Sequence, residues 1–482
     1  MYMNRQRFDE IKGLIRRVES LLEIVLLALV YYYVWRHMFY NSRFLHFVSQ
    51  FPELEGNGKY VLMLVYAMLV FIVFFLGDGF KFGHLKIADI FTSQAISIFI
   101  VDIVTYFQLC LIGGTIITPW PVAVLYALDL VICLICSWLF DKLYHRMYVP
   151  RNMVMIYGSE NAVALKIKMD SRNDKYRVND IISIDAPIEE IFREIDCHDA
   201  VVINDLPAKQ RNDVLKYCYE HKVRAYVVPK LSDIIIRGGQ DINLFDTPML
   251  LVKGHALTVP QRAVKRTLDI LLCGIAAVVT SPVMLLIALA IKLEDHGPVF
   301  YKQKRVTRDG REFDILKFRS MIVDAEKGGH SIPATGRDPR ITRVGRITRA
   351  TRLDELPQLL NILKGDMSIV GPRPERTEHV EKFTKEIPEF AYRLKVKGGL
   401  TGYAQIYGKY NTSPYDKLRL DLMYIENYSI LLDIKLILMT LRIMLKKEST
   451  EGFDQVIDEA AIQKVIHDTG HPLDEDEHTK AS

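Results

Sequence analysis

The sequence predicts a helix-rich membrane protein that carries an α/β module, on three observations. Four long apolar runs fill the first 150 residues, a stretch of alternating strand-like and helix-like periods follows, and a fifth apolar run has a proline near its middle. Of the 482 residues 50% are hydrophobic and 25% charged, so the two kinds must be segregated along the chain. That length leaves room for about three domains. Lys plus Arg (62) nearly balances Asp plus Glu (58), which argues against a disordered polyelectrolyte and a nucleic-acid clamp. Six scattered cysteines are too few for a disulfide framework. Cys133 and Cys136 form a C-x-x-C inside an apolar run, without the second pair a structural zinc site needs.

A basic N-terminal stretch (Arg5, Arg7, Lys12, Arg16, Arg17) leads into the first run without a small-residue cleavage site, which predicts an uncleaved span. The four runs lie near residues 21–40, 59–77, 96–117 and 120–140. Each approaches the ~20 residues a helix needs to cross a bilayer. Glu23, Asp102 and Asp129 interrupt them, either as structural groups at packed interfaces or as functional intramembrane acids. Lys81 and Lys86 separate spans two and three, Lys142, Arg146 and Arg151 follow span four, and Gly113 to Pro121 is uncharged. By the positive-inside rule both ends of this four-helix transmembrane bundle face the cytoplasm.

Residues 151–250 alternate in period. MVMIY (153–157), NDIISI (179–184), AVVIN (200–204) and RAYVVP (224–229) read as strands separated by helical stretches, a Rossmann-like βαβ pattern. Only Gly158 follows the first strand, so the G-x-G-x-x-G fingerprint is absent and a structural or regulatory module is expected. The fifth run, 268–291, is long enough to span, yet Lys265 and Arg266 precede it and Lys302, Lys304, Arg305, Arg308 and Arg311 follow. Crossing would export a basic domain, against the same rule. Pro282 removes a backbone donor mid-run, and Ser281 is placed to satisfy the freed carbonyl. A helix that dips in, turns at Ser281-Pro282 and leaves on the same side reconciles these facts; a kinked true span is the other reading.

Chemistry-bearing residues come next. KFRSM (317–321) is followed by arginines at 337, 340, 343, 346, 349 and 352, with Gly345 among them. Each step of three turns about −60° on a helix, so the six cannot share one face. Guanidiniums converging from a loop and a helix end suit phosphate oxygens or anionic lipid headgroups. In TRLDELPQLLNILKGDMSIVGPRPE (351–375), Leu356, Leu359, Leu360 and Leu363 give an apolar helical face, Pro357 fits a first turn and Gly365 a C-terminal stop. Asp354 and Glu355 then stand at a helix N-terminus, where the dipole favours negative charge. Asp354 reads as an N-cap or as a carboxylate nucleophile toward phosphorus, and Glu355 as holding a divalent metal. Residues 430–447 present Lys435, Arg442, Lys446 and Lys447 to lipid headgroups beside an apolar face, or else form a packed core helix. PLDEDEHTKAS ends the chain as an acidic tail.

Five motifs in order, KRTLDILLCGIAAVVTSPV, KFRSM, DPRITRVGRITR, LDELPQLLNILKGDMSIVGPRPE and LTGYAQI, resemble the bacterial sugar transferase family of polyprenyl-phosphate phosphoglycosyl transferases from about residue 262 to 447. With four spans and a βαβ module ahead of them, the chain is similar to the long-form members that start exopolysaccharide, capsule or O-antigen units. The resemblance implies a transmembrane domain over 1–150, a cytosolic module over 151–255, a monotopic α-rich catalytic domain over 256–450 with a re-entrant helix at 268–291, and a tail over 451–482. Its expected place is the bacterial cytoplasmic (inner) membrane, as a homodimer without nucleic-acid partners.

It also implies a reaction. Asp354 attacks the sugar-linked phosphorus of a UDP-sugar, UMP leaves, and polyprenyl (undecaprenyl) phosphate takes the phosphosugar from the enzyme, with Mg²⁺ at Glu355. Lys317 and Arg319 of KFRSM, Arg349, Arg373 and Pro374 of GPRP, Lys409 of YGKYN and Asp421 match phosphate-binding, nucleotide-binding or active-site positions, and Ser281-Pro282 matches the re-entrant turn. Two residues depart from the family pattern. Gly398 stands where the K-P-G-x-T-G block has proline, and Lys409 stands where arginine is common, an ammonium in place of the fork that makes a bidentate phosphate contact. An inactive scaffold or receptor of the same fold is the alternative function, against which the intact Asp354-Glu355 pair speaks. A transporter should show an inverted repeat, and none is visible.

Overall fold

A computed structural model describes residues 2–39, 57–147, 150–158, 162–254, 256–323, 325, 338–408 and 412–444. The described residues divide into two compact units, one within 2–144 and 256–444, the other within 145–254. The protein is a helix-rich membrane protein: Gly13–Met38, Lys59–Leu76, Ile87–Gly113, Trp120–Met147 and Val259–Asp295 are each long and apolar enough to cross a bilayer.

The N-terminal part consists of α1 (Tyr2–Val34), extended by one wide turn, α2 (Lys59–Leu76), α3 (Ile87–Gly113) and α4 (Trp120–Met147). Leu27, Tyr31, Tyr66, Val70, Phe74, Ile98, Leu109 and Leu125 form their common core. Phe75, Phe107, Leu111 and Trp138 stay exposed, as side chains facing acyl chains would. The three acids in the apolar runs point inward. The Tyr66 hydroxyl lies 3.1 Å from Asp102 Oδ1 and 2.6 Å from Asp129 Oδ2, and Gln94 Nε2 donates to Glu23 Oε1 (2.9 Å). Each acid has a partner in the helix interface, the packed-interface reading. Helix α3 begins upstream of the apolar run because Ser93, Gln94 and Ser97 are buried and hydrogen-bonded. Cys133 and Cys136 are buried among apolar neighbours.

The second unit is built on four parallel strands in the order β2-β1-β3-β4: β1 (Arg151–Tyr157), β2 (Tyr176–Ser183), β3 (Ala200–Asn204) and β4 (Arg224–Val227). Between and after them run α5 (Ala162–Asp170), α6 (Ile188–Cys197), α7 (Ala208–Glu220) and α8 (Leu231–Arg237). The central strands are continuous apolar runs because both faces are covered, with Val154, Ile156, Val201 and Ile203 on one side and Met153, Met155, Ala200 and Val202 on the other. An antiparallel hairpin, β5 (Gln240–Leu244) with β6 (Thr247–Leu251), was not foreseen. Its turn carries Phe245 at φ 56° in place of the glycine or asparagine that announces a hairpin, and Pro248 weakens the strand signal.

The C-terminal part opens on α9 (Val259–Asp295), whose N-terminus has a capping box: Gln261 N–H donates to Thr258 Oγ1 and Thr258 N–H to Gln261 Oε1. The helix stays helical through Ser281-Pro282. Pro282 cannot donate to the carbonyl four residues back, and Ser281 Oγ donates to that oxygen, Val278 O, at 2.8 Å. Both ends of α9 are tied to the same fold. Arg266 donates to Ile362 O and Leu363 O, Asp269 accepts from Ile369 N–H, Glu294 accepts from the N–H groups of Arg343 and Val344, and Asp295 pairs with Arg319.

Beyond it come the antiparallel pair β7 (Phe300–Val306) and β8 (Glu312–Phe318), α10 (Arg343–Ala350), α11 (Gln358–Lys364), β9 (Ser368–Val370), α12 (Thr377–Glu386), β10 (Gly399–Thr401), α13 (Tyr403–Tyr407), α14 (Pro414–Glu426) and α15 (Ile430–Met444). Cys273, Phe313, Ile315, Leu359 and Ile362 form one core; Ile287, Ile291 and Phe318 form another. Helix α15 is the packed helix rather than a headgroup-facing one. It lies on α2 and α3, Leu436, Met439 and Arg442 are buried, and Lys435 Nζ pairs with Asp78 Oδ1 at 2.7 Å. Lys446 and Lys447 lie outside the described residues. Gly398 has a local reason as well. Its N–H donates to Thr307 Oγ1 (3.1 Å), a bond proline could not make, and a Cβ there would meet Pro374 Cγ at 2.9 Å.

Candidate active site

Helix α10 starts on Thr342, whose hydroxyl accepts from Gly345 N–H, and ends where Arg352 turns left-handed at φ 55°. Leu353–Glu355 then make one tight 3₁₀ turn before α11. Asp354 therefore caps nothing: it lies within that turn, and Pro357 stands at the start of α11 without a side-chain cap. Gly365 closes α11 at φ 97°, and Arg266 donates to carbonyls of the last turn, where a cation is favoured.

Asn361 clamps α11 to β8. Its Oδ1 accepts from Leu316 N–H (2.9 Å) and its Nδ2 donates to Asp314 O (2.8 Å). That registers Lys317, the next residue of β8, against the 3₁₀ turn. Lys317 Nζ lies 2.8 Å from Glu355 Oε1, and Arg373 Nη2 lies 2.9 Å from the same oxygen. The structure thus gathers Lys317, Glu355 and Arg373, with Asp354 beside Glu355 and within electrostatic reach of Lys317 and Arg349.

The two carboxylates differ. Burial opposes ionisation of Glu355, but Arg373 and Lys317 outweigh it and hold its pKa well below the usual range. Such a group stabilises the fold above its ordinary pKa, and that contribution is lost as pH falls through the depressed value. Asp354 goes the other way. Burial raises it above its ordinary value, Lys317 and Arg349 pull it back, and Glu355 adds to the rise. A carboxylate that is ionised yet poorly solvated is the better nucleophile. Removing a cation should raise Asp354 further, so Lys317→Met is expected to move the acid limb of the kcat/KM profile to higher pH. A pH–rate series on wild type and variant checks this; an unmoved limb would mean the two groups do not interact.

Behind Arg373 lies a buried ionic scaffold. Arg393 donates to Asp421 Oδ2 through Nε (2.9 Å) and Nη2 (2.8 Å), and to the Arg373 carbonyl. Arg305 donates to the Pro374 carbonyl (3.1 Å), and Glu375 accepts from Lys417 (3.2 Å) with Arg393 Nη1 at 3.6 Å. Asp421 is 1% exposed and holds Arg393, which in turn donates to the Arg373 carbonyl of the GPRP strap. Nothing in the sequence marks Arg393; Arg305 stands there only as one of the cations after the fifth apolar run, and Glu375 only as the last letter of the longest motif. Arg319 does not join the cluster, being buried and paired with Asp295. In the arginine series Arg340 pairs with Asp338, while Arg337 and Lys409 lie outside the described residues.

Mg²⁺ binds through one or two carboxylates plus phosphate oxygens and keeps several waters. Adjacent Asp354 and Glu355 fit that demand, since both cation contacts of Glu355 fall on Oε1.

Residues 260–447 match the family described as bacterial sugar transferase. A UDP-N-acetylgalactosamine-undecaprenyl-phosphate N-acetylgalactosaminephosphotransferase of Aeromonas hydrophila is 33% identical over 322 residues, 65% of this chain and 72% of that protein. The chain belongs to the bacterial sugar transferase family. Two other sugar transferases similar to it are UDP-glucose:undecaprenyl-phosphate glucose-1-phosphate transferases. The one of Escherichia coli K12 is 42% identical over 204 residues, 41% of this chain and 42% of that protein. The one of Caulobacter vibrioides is 40% identical over 216 residues, 43% of this chain and 80% of that protein. The matched stretch is thus under half of the Escherichia coli protein, and in this chain the family match holds every site residue named above.

Proposed function

We propose that this sugar transferase moves a sugar-1-phosphate from a UDP-sugar to polyprenyl (undecaprenyl) phosphate, releasing UMP. The observation that carries it is the adjacent pair of carboxylates in opposite electrostatic states, with Lys317 and Arg373 fixed on Glu355 and Asp354 left for attack. An Asp354 oxygen attacks the sugar-linked phosphorus, the P–O bond to the bridging oxygen breaks, and UMP leaves with that electron pair. A phosphate oxygen of the lipid then attacks the phosphosugar on Asp354, the acyl-phosphate bond breaks, and the carboxylate is restored. Lys317, Arg349 and Arg373 offset charge on the phosphate oxygens as it shifts to the leaving group. Bound at Glu355, Mg²⁺ would supply further neutralisation of the diphosphate. The relatives named above act on undecaprenyl phosphate with glucose or N-acetylgalactosamine donors, and this support extends to the substrate class rather than to one sugar.

The same reading places the chain in the bacterial inner membrane as a homodimer, with both ends of α9 on the cytoplasmic side. Attachment of Arg266 and Asp269 at one end and Glu294 and Asp295 at the other to elements of one fold supports a helix that returns to its own side. Purified protein with Mg²⁺ and a panel of UDP-sugars should release UMP from one of them only when polyprenyl phosphate is supplied for turnover. No UMP from any donor, with a sister enzyme active in the same detergent, would sink the proposal.

A further inference from the structure

The unit His145–Gly254 supplies none of the site residues named above, yet it holds its own set of ligand-type side chains. Asp180 on β2, Glu194 in the last turns of α6 and His198 just after that helix bring a carboxylate oxygen each and a ring nitrogen within 4.8 Å of one another. Among the described residues this is the only such group of three. The His198 side chain is 8% exposed, and its Nδ1 lies 2.7 Å from the Glu194 carbonyl. A carbonyl only accepts, so Nδ1 carries the hydrogen, and in the neutral ring Nε2 is a bare lone pair. That lone pair faces Asp180 Oδ2 at 2.8 Å, a second acceptor. Two acceptors in contact, one on a side chain more than nine-tenths buried, require a positive charge on the ring or between the atoms.

The surroundings favour a bound cation. Beside Asp180 and Glu194 runs an open groove of about 830 Å³ that Ser183, Asp185 and Glu190 also line, with no lysine or arginine among its described lining residues. We propose that Asp180, Glu194 and His198 hold a divalent transition-metal ion of the Zn²⁺ class, with an open coordination position toward the groove. One imidazole with two carboxylates suits Zn²⁺ and its neighbours, whereas Mg²⁺ and Ca²⁺ take oxygen ligands. The Nδ1 bond to a backbone carbonyl is the arrangement that fixes the tautomer of a ligating histidine. Bonds of about 2.0–2.1 Å at the tetrahedral angle put ligand atoms about 3.4 Å apart. The Glu194 carboxylate, 36% exposed, stands with Oε2 3.8 Å from Nδ1, so its side chain must rotate toward the Nε2 side to close the set.

The full chain in nanodiscs, stripped with chelator, would be titrated calorimetrically with Zn²⁺ alongside Asp180→Asn and Glu194→Gln. Both side chains are solvent-accessible enough for the variants to fold, at 56% and 36% exposed. Wild type should bind one Zn²⁺ that each variant weakens about tenfold or more, with UMP release in Mg²⁺ unchanged. X-ray absorption at the zinc edge should find one imidazole nitrogen, lost in His198→Gln. Zn²⁺ uptake that is absent, or identical in all the proteins, overturns the site and leaves His198 and Asp180 as a pair joined by a hydrogen bond alone.

Discussion

Asp354→Asn is expected to lower turnover by on the order of 10⁴ or more, because it removes the attacking oxygen and leaves the fold intact. The amide is isosteric, and Asp354 caps no helix in the structure, so no stability is forfeited with the charge. What disappears is the covalent step. Wild type incubated with a UDP-sugar and no lipid should retain one acid-stable, hydroxylamine-labile phosphosugar per chain, detectable by intact mass. The variant should retain none. A residual rate within tenfold of wild type would keep the enzyme and move the nucleophile elsewhere.

The second large effect is on stability. Arg393→Leu should cost about 3–5 kcal/mol, because it strands Asp421 at 1% exposure without its counter-ion. It also frees the Arg373 carbonyl, so the GPRP strap should loosen and Arg373 lose its hold on Glu355. Denaturant or thermal unfolding in nanodiscs reads the first effect. The double variant Arg393→Leu/Asp421→Leu should recover part of the loss, since the buried charge is then gone as well. A double variant as unstable as the sum of the singles would show that Arg393 acts mainly through Glu375 and the carbonyl.

Much of this was legible in the sequence, for identifiable reasons. The spans were legible because a bilayer demands long apolar runs. The parallel strands were legible because β1 and β3 are buried on both faces and so carry unbroken apolar letters. Asp354 and Glu355 stood out through Pro357 and Gly365, which bracket a short helix by backbone rules alone. The partners did not stand out. Lys317 meets Glu355 across 38 residues, through a register that Asn361 sets with two side-chain bonds, and no local pattern encodes that. Arg393 and Asp421 are 28 residues apart and look like ordinary surface charges until the fold buries both. For α15 the amphipathic pattern was correct, but a cation on its edge faces Asp78 as readily as a lipid phosphate, and only the tertiary fold decides.

That last contact bears on how the molecule can be divided. Asp78 sits between α2 and α3 at φ 63°, 3% exposed, and binds Lys435, while Asp433 on the same helix binds Lys265 at the start of α9. One helix therefore rivets the first spans to the catalytic fold. A truncated polypeptide beginning near residue 255 would leave Lys435 without its carboxylate and take away the α2 and α3 surfaces on which α15 packs. The helix face so uncovered would favour self-association of the fragment in detergent. The first spans and the transferase fold thus share one compact unit, and α15 is an element that joins them.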